Sequence, residues 1–137
     1  MAWSLNKLII ALIPIYNFFS GWHGHLTSSN CLVDNRWVCK VSDYGLNYVK
    51  QCSGLTRSSD SGSLLWMSPE LLREVVATPT IYKRSDVYSY GIICQEIVHQ
   101  NAPYCHNFPE LDASETVANV KLPLNPPYRP QIPKGKI

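Results

Sequence analysis

Asn30 and Asp43 bracket the stretch that most limits how this chain can fold. Between them lie two β-favouring runs, Cys31-Leu32-Val33 and Trp37-Val38-Cys39-Lys40-Val41, separated by the polar Asp34-Asn35-Arg36. Such runs around a short polar break predict a β-hairpin. A hairpin returns its end to its beginning, so Asn30 is expected beside Asp43. An amide oxygen and a carboxylate held together are donors for a hard cation such as magnesium. A turn that serves structure alone, without metal, is the other reading of the same residues.

Upstream of the hairpin stands His23-Gly24-His25-Leu26-Thr27-Ser28-Ser29-Asn30; Asp43-Tyr44-Gly45 begins thirteen residues past Asn30, and Ser68-Pro69-Glu70 follows. This series resembles the protein-kinase signature. There a His-Arg-Asp-Leu loop supplies the catalytic base, an Asn binds magnesium, and an Asp-Phe-Gly turn supplies a second metal ligand. Here His25 replaces the base Asp. A carboxylate stays anionic beside bound cations, whereas a protonated imidazole is disfavoured there. Histidine does titrate near neutrality, at about 6.5, so His25 as a surrogate base is the alternative.

The segment Ser29 to Leu46 narrows the resemblance to the kinase-homology domain of receptor guanylyl cyclases, which read His-Gly-Asn-Leu at the loop. Gly24 matches that pattern and His25 departs from it. Leu65-Trp66-Met67-Ser68-Pro69-Glu70-Leu71-Leu72-Arg73, Ser85-Asp86-Val87-Tyr88-Ser89-Tyr90-Gly91-Ile92-Ile93 and Pro126-Pro127-Tyr128-Arg129-Pro130 are similar in order and content, so the resemblance covers about residues 23 to 130. It implies an α+β fold: the mainly helical C-terminal lobe of a protein-kinase-like fold with a short β-hairpin, without its N-lobe. No Gly-x-Gly-x-x-Gly loop and no Val-Ala-Ile-Lys-type strand occurs in these 137 residues, and those are the parts that hold nucleotide phosphates.

Several roles follow from the resemblance alone. Asn30 and Asp43 are the nucleotide and magnesium ligands, with ATP and Mg as cofactors of an intact parent. His23, Glu70 and Asp86 are structural, with Asp86 accepting from the backbone at His23 and Gly24 and Glu70 pairing with an Arg late in the lobe. A buried Glu70 without that Arg would be costly. The partners implied are the N-lobe and the cyclase catalytic domain of the parent, which would act as a homodimer on the cytosolic side of a membrane, making cyclic GMP. The remaining readings are a remnant of an active protein kinase and a stand-alone interaction module.

Composition excludes little and supports a core: 45% of residues are hydrophobic, and a net charge of +2 without a basic cluster leaves no footprint for nucleic acid. The five cysteines form no Cys-x-x-Cys pair and no even framework, which reads as reduced thiols. His23, His25 and Cys31 have no fourth ligand at zinc-site spacing.

Residues 1–22 read as a separate apolar segment, with 23–137 as the kinase-like unit. The run Leu8 to Phe19 is too short to span a bilayer. It has the size of a signal-peptide core yet lacks a small-residue cleavage site, so a packing helix, a misjoined exon, a signal and an anchor all stay open.

Residues 47 to 63 read as a mobile loop in place of an activation segment. Ser53, Thr56, Ser58 and Ser59 are candidate regulatory phosphorylation sites that Arg57 or Arg73 would receive; an unmodified linker is the other reading. Pro69 suits the first turn of a helix, and Pro79 is expected to close that element. Ser85 is then expected to cap an all-round apolar, buried helix from Asp86 to Gln100. Ser114 to Val120 predicts a short amphipathic helix, followed by a proline-rich extended exit. Glu96, His99 and His106 are expected at the solvated rim.

Overall fold

The structure is a computed structural model, and it describes residues 21–46, 61–74, 76–105, 110–124 and 128–130. The candidate phosphorylation sites Ser53, Thr56, Ser58 and Ser59, the N-terminal apolar run and His106 lie outside the described residues.

A 3-10 turn at Ser28–Asn30 leads into strand β1 (Cys31–Val33), which pairs antiparallel with β2 (Cys39–Val41) in the register Cys31 to Val41 and Val33 to Cys39. Asp34 closes the connection between them. Its Oδ1 accepts the N–H of Arg36 at 2.9 Å and of Val38 at 3.0 Å, an arrangement that replaces ladder bonds where the chain turns. These N–H groups, Val38 first, hold the Asp34 carboxyl below its ordinary value, helped by Lys40 and Arg36. The hairpin therefore forms where the pattern of the sequence places it.

The helices start at side-chain caps. Ser68 accepts from the Leu71 N–H and opens α1 (Pro69–Arg73). Thr78 caps α2 (Pro79–His99), which ends at Gln100 in the left-handed region with φ 52°. Asp112 and Glu115 form a reciprocal capping box on α3 (Ala113–Lys121).

Two expectations about α2 are corrected. Pro79 opens the helix instead of closing the preceding element, because a proline in the first turn loses no needed hydrogen bond. Ser85 lies inside the helix as a buried residue, where its hydroxyl accepts the Ser68 N–H at 3.2 Å.

Helix α2 is the hub of the core. Ile93 packs with Leu26, Cys31 and Cys39 under the hairpin; Tyr82 packs with Met67 and Leu71 against α1; Ile92 packs with Tyr104 and Val120 towards α3. A single helix can serve three clusters because its apolar residues are spread around its circumference. Burial is incomplete, however: Val87 stays 67% exposed and Gly91 is exposed, so one face of α2 is open. Arg73 ties the two shorter helices together, donating from Nε to the Lys121 carbonyl at 2.6 Å and from Nη2 to the Leu122 carbonyl at 2.9 Å. These are carbonyls at the C-terminal end of α3, which a guanidinium satisfies well.

Candidate functional site

The loop ahead of the hairpin is fastened to α2 through one carboxylate. Asp86, only 1% exposed, accepts the His23 N–H on Oδ2 at 2.6 Å and the Gly24 N–H on Oδ1 at 2.9 Å. Gly24 sits at φ 79°, a left-handed conformation that glycine adopts without strain. The His23 ring, 2% exposed, crosses to the other side of the site: its Nε2 donates to the Ser42 carbonyl at 2.8 Å. A carbonyl only accepts, so Nε2 carries the proton, and Nδ1 is then left to accept the His25 N–H at 3.3 Å.

This frame brings the hairpin ends together. Ser42 donates its N–H to the Asn30 carbonyl at 2.9 Å, one step past the strand pairs. Asn30 is 8% exposed and donates Nδ2 to the His25 carbonyl at 2.9 Å. With Nδ2 committed, Oδ1 is the end of that amide left to accept from a ligand. Asp43 follows at φ 64°, exposed, in a left-handed conformation that aspartate tolerates and that recurs at functional turns.

His25, Asn30 and Asp43 line one cleft of about 490 Å³, together with Thr27, Leu65 and Trp66. The candidate metal donors and the residue at the base position therefore share a cavity. A carboxylate and an amide oxygen fit a hard cation, which usually takes one or two protein oxygens and completes its shell with phosphate and water. The residues present thus fit magnesium. Among the described residues no cluster of three His, Cys, Asp or Glu side chains forms a metal centre.

The thiols beneath the hairpin are not part of this chemistry. Burial, then the neighbouring Cys39 and Glu96, pushes the Cys31 thiol up to about 12, and burial likewise raises Cys39. Both stay protonated at neutral pH, as packing residues do. Among the described residues Cys31, Cys39, Cys94 and Cys105 are free cysteines.

Three expectations about charged residues change. Glu70 is exposed in the first turn of α1, so water solvates it and no buried-charge penalty arises. The Arg73 guanidinium is occupied by the α3 carbonyls and is not a ready receiver for a modified loop. Glu96 is not a solvated rim residue: Oε1 accepts the Ser28 hydroxyl at 2.9 Å and Oε2 accepts the Trp66 indole N–H at 2.8 Å. Burial raises its carboxyl above the ordinary value, and the two donors lower it in part. Glu96 had no signal in the sequence, because its partners lie 68 and 30 positions away.

A profile described as "Protein tyrosine and serine/threonine kinase" matches residues 20–133. The chain belongs to this protein kinase family. Its relatives are receptor guanylyl cyclases, and the part they share with it is their kinase-homology region. The speract receptor of Strongylocentrotus purpuratus is 43% identical over 133 residues, covering 92% of this chain and 12% of the relative. Retinal guanylyl cyclase 2 of Bos taurus is 41% identical over 112 residues, covering 81% of this chain and 10% of the relative. Atrial natriuretic peptide receptor 2 of Homo sapiens is 35% identical over 137 residues, covering 97% of this chain and 13% of the relative. That last alignment is wide enough to take in most of residues 1–22, beyond the motifs that carry the resemblance. The kinase-like sequence thus spans about a tenth of the length of these relatives.

Proposed function

We propose that this chain is a regulatory kinase-homology segment of a receptor guanylyl cyclase, in which the kinase site binds without transferring phosphate. The observation that carries the reading is the composition of one cleft. Asn30 and Asp43, suited to a magnesium-bound nucleotide, line it beside His25, where a kinase needs its carboxylate base.

In this reading magnesium supplies the positive charge that steadies the nucleotide phosphates. Asp43 and the Asn30 amide oxygen would hold that ion, with the Nδ2 bond to the His25 carbonyl fixing the amide's orientation. His25 leaves the substrate hydroxyl without an anionic acceptor. Nucleotide occupancy would then act through packing. Held at His23 and Gly24 by Asp86, the loop would pass the state of the cleft to α2, and through it to the parent's N-lobe and cyclase catalytic domain. The parent would work as a homodimer at the cytosolic face of a membrane and make cyclic GMP. Among the described residues of this chain, no helix is long and apolar enough to cross a membrane.

The test is to follow the Asn30 and Asp43 amide resonances as ATP is added with Mn²⁺ as a paramagnetic stand-in for Mg²⁺, and to assay phosphate transfer in parallel. Metal-dependent broadening at both residues that Asp43→Asn abolishes, without transfer, is the expected result. Transfer by the unmodified protein that His25→Ala removes would establish the active-kinase alternative instead.

A stand-alone interaction module is the second reading, favoured by the exposed apolar side chains Leu32, Trp37, Val38, Tyr44 and Leu46 on and beside the hairpin.

A further inference from the structure

The open face of α2 carries one stripe of side chains. Arg84, Val87, Tyr88, Gly91 and Gln95 recur at three- and four-residue steps, which places them on one side of the helix. With Glu70 of α1 and with Arg129 and Pro130 of the exit segment they line a groove of about 460 Å³, the size of a small-molecule site. None of the residues that line it also lines the cleft at Asn30 and Asp43.

Three features of this groove have no use in the rest of the fold. Gln95 is 0% exposed; its Oε1 accepts the Tyr104 N–H at 3.4 Å, while its Nε2 is buried without a hydrogen-bond partner among the described residues. A buried donor left unpaired is costly and uncommon. Tyr104 does not line the groove, so Nε2 is the end of the amide on the groove side. Gly91 lies in the interior of α2, where glycine is less favourable than alanine, yet a Cβ added there would meet nothing within 4 Å. Its missing side chain relieves no contact and keeps the groove open. Arg84 and Arg129 enter no ion pair among the described residues; the two pairs that occur both belong to Asp34. Even with Glu70 turned to one of them, two guanidiniums against one carboxylate leave a positive charge over.

A carboxylate with an apolar body answers all three. Its oxygens accept from Nε2 and from a guanidinium fork, and the body behind them covers Val87, Ile92 and Pro130. The walls suit a small molecule better than a peptide backbone. The N–H and C=O groups of Val87 to Ile92 are spent inside the helix, and Pro130 has no N–H to offer.

We propose that this groove binds a small organic carboxylate, with its charged end among Arg84, Arg129 and Gln95 Nε2 and its apolar body along Val87 and Gly91. The site is independent of any nucleotide or metal at Asn30 and Asp43.

The Gln95 side-chain amide reports on it directly. The full chain, labelled with ¹⁵N and with that resonance assigned, is titrated with hydrocinnamate and in parallel with hydrocinnamamide, which has the same shape without the charge. Hydrocinnamate is expected to shift the Gln95 Nε2 resonance saturably, with an affinity about tenfold or more above that of the amide, a gap of about 1.4 kcal/mol. Replacing both arginines, Arg84→Ala with Arg129→Ala, is expected to remove the difference, and Gly91→Leu, which fills the groove, to abolish binding. Equal binding of the two compounds, no binding of either, a preference that survives loss of both arginines, or binding that survives Gly91→Leu would overturn the proposal. A short alanine peptide bearing one glutamate that binds more tightly than hydrocinnamate would overturn its small-molecule part. Should Gly91→Leu fail to fold, the carboxylate-amide contrast on the unmodified protein decides.

Discussion

Asp86 and Glu96 place the same functional group at the two ends of one stretch of α2, and the helix uses them differently. Asp86 is sealed at 1% exposure and spends both oxygens on backbone N–H groups of one loop. Glu96 is half-buried, spends its oxygens on two neutral side chains from different segments, and faces a groove. Backbone donors of one loop hold a buried anion away from solvent. Side-chain donors beside an opening leave the carboxylate half-exposed. The first arrangement positions a site, and the second has room to be one.

The largest effect should come from breaking the sealed end. Asp86→Ala strands two buried N–H groups and removes two hydrogen bonds to a charged acceptor, so a stability loss of about 3 kcal/mol is expected in chemical denaturation. Asp86→Asn keeps one accepting oxygen and should fall between the two. A loss below about 1 kcal/mol for the alanine variant, which is the worth of one ordinary hydrogen bond, would show that the loop does not depend on this anchor.

That anchor was legible in the sequence only through the family resemblance, since nothing in the periodicity around Asp86 points to His23. The hairpin and the meeting of Asn30 with Asp43 were legible from the residues themselves, because strand propensity and a polar turn are local signals. The start of α2 was not. Pro79 reads equally as a stop or as a first-turn residue, and only the Thr78 cap and the packing of Tyr82 decide between them. The capping box of Asp112 and Glu115 was a local signal available at the right spacing for the start of α3, which runs one residue beyond the predicted Ser114 to Val120 at each end. Glu96 was read as solvated because its hydrogen bonds are long-range, and long-range partners leave no mark on a single strand of text.

The open end can be sharpened with Trp66→Phe. It removes the indole donor to Glu96, with an expected loss of about 1.5 kcal/mol for a hydrogen bond to a charged group. It should also push the Glu96 carboxyl further up, because the indole N–H is the larger of the two donors that lower it. A carboxyl-carbon NMR titration reads that shift, and no shift would mean that Trp66 does not hold the carboxylate in solution.

A carboxylate outside the pair calibrates both. Asp112 also accepts a backbone N–H, that of Glu115 at 2.7 Å, but in an exposed cap. Asp112→Ala should cost about 1 kcal/mol by thermal or chemical unfolding, the ordinary worth of an N-cap. If it costs as much as Asp86→Ala, burial is not what separates the sealed end from the rest.

The smallest effect tests the open end through pH. Burial raises the folded-state pKa of Glu96 above its ordinary 4.5. As pH rises past that value, the unfolded chain releases this proton while the folded chain keeps it, so the Glu96 contribution to stability falls until the folded pKa is passed and is constant above it. Asp34 has the opposite sign. Its folded pKa is lowered from 3.8, so its contribution is present above that value and is lost as pH falls through the folded pKa. Denaturation midpoints of the unmodified protein, Glu96→Gln and Asp34→Asn, followed from about pH 3 to pH 7, separate the two trends. The unmodified protein should lose ground to Glu96→Gln as pH rises above 4.5 and gain on Asp34→Asn as pH rises through the acid range. A flat difference for Glu96→Gln would mean that the carboxylate is as well solvated in the fold as in the unfolded chain.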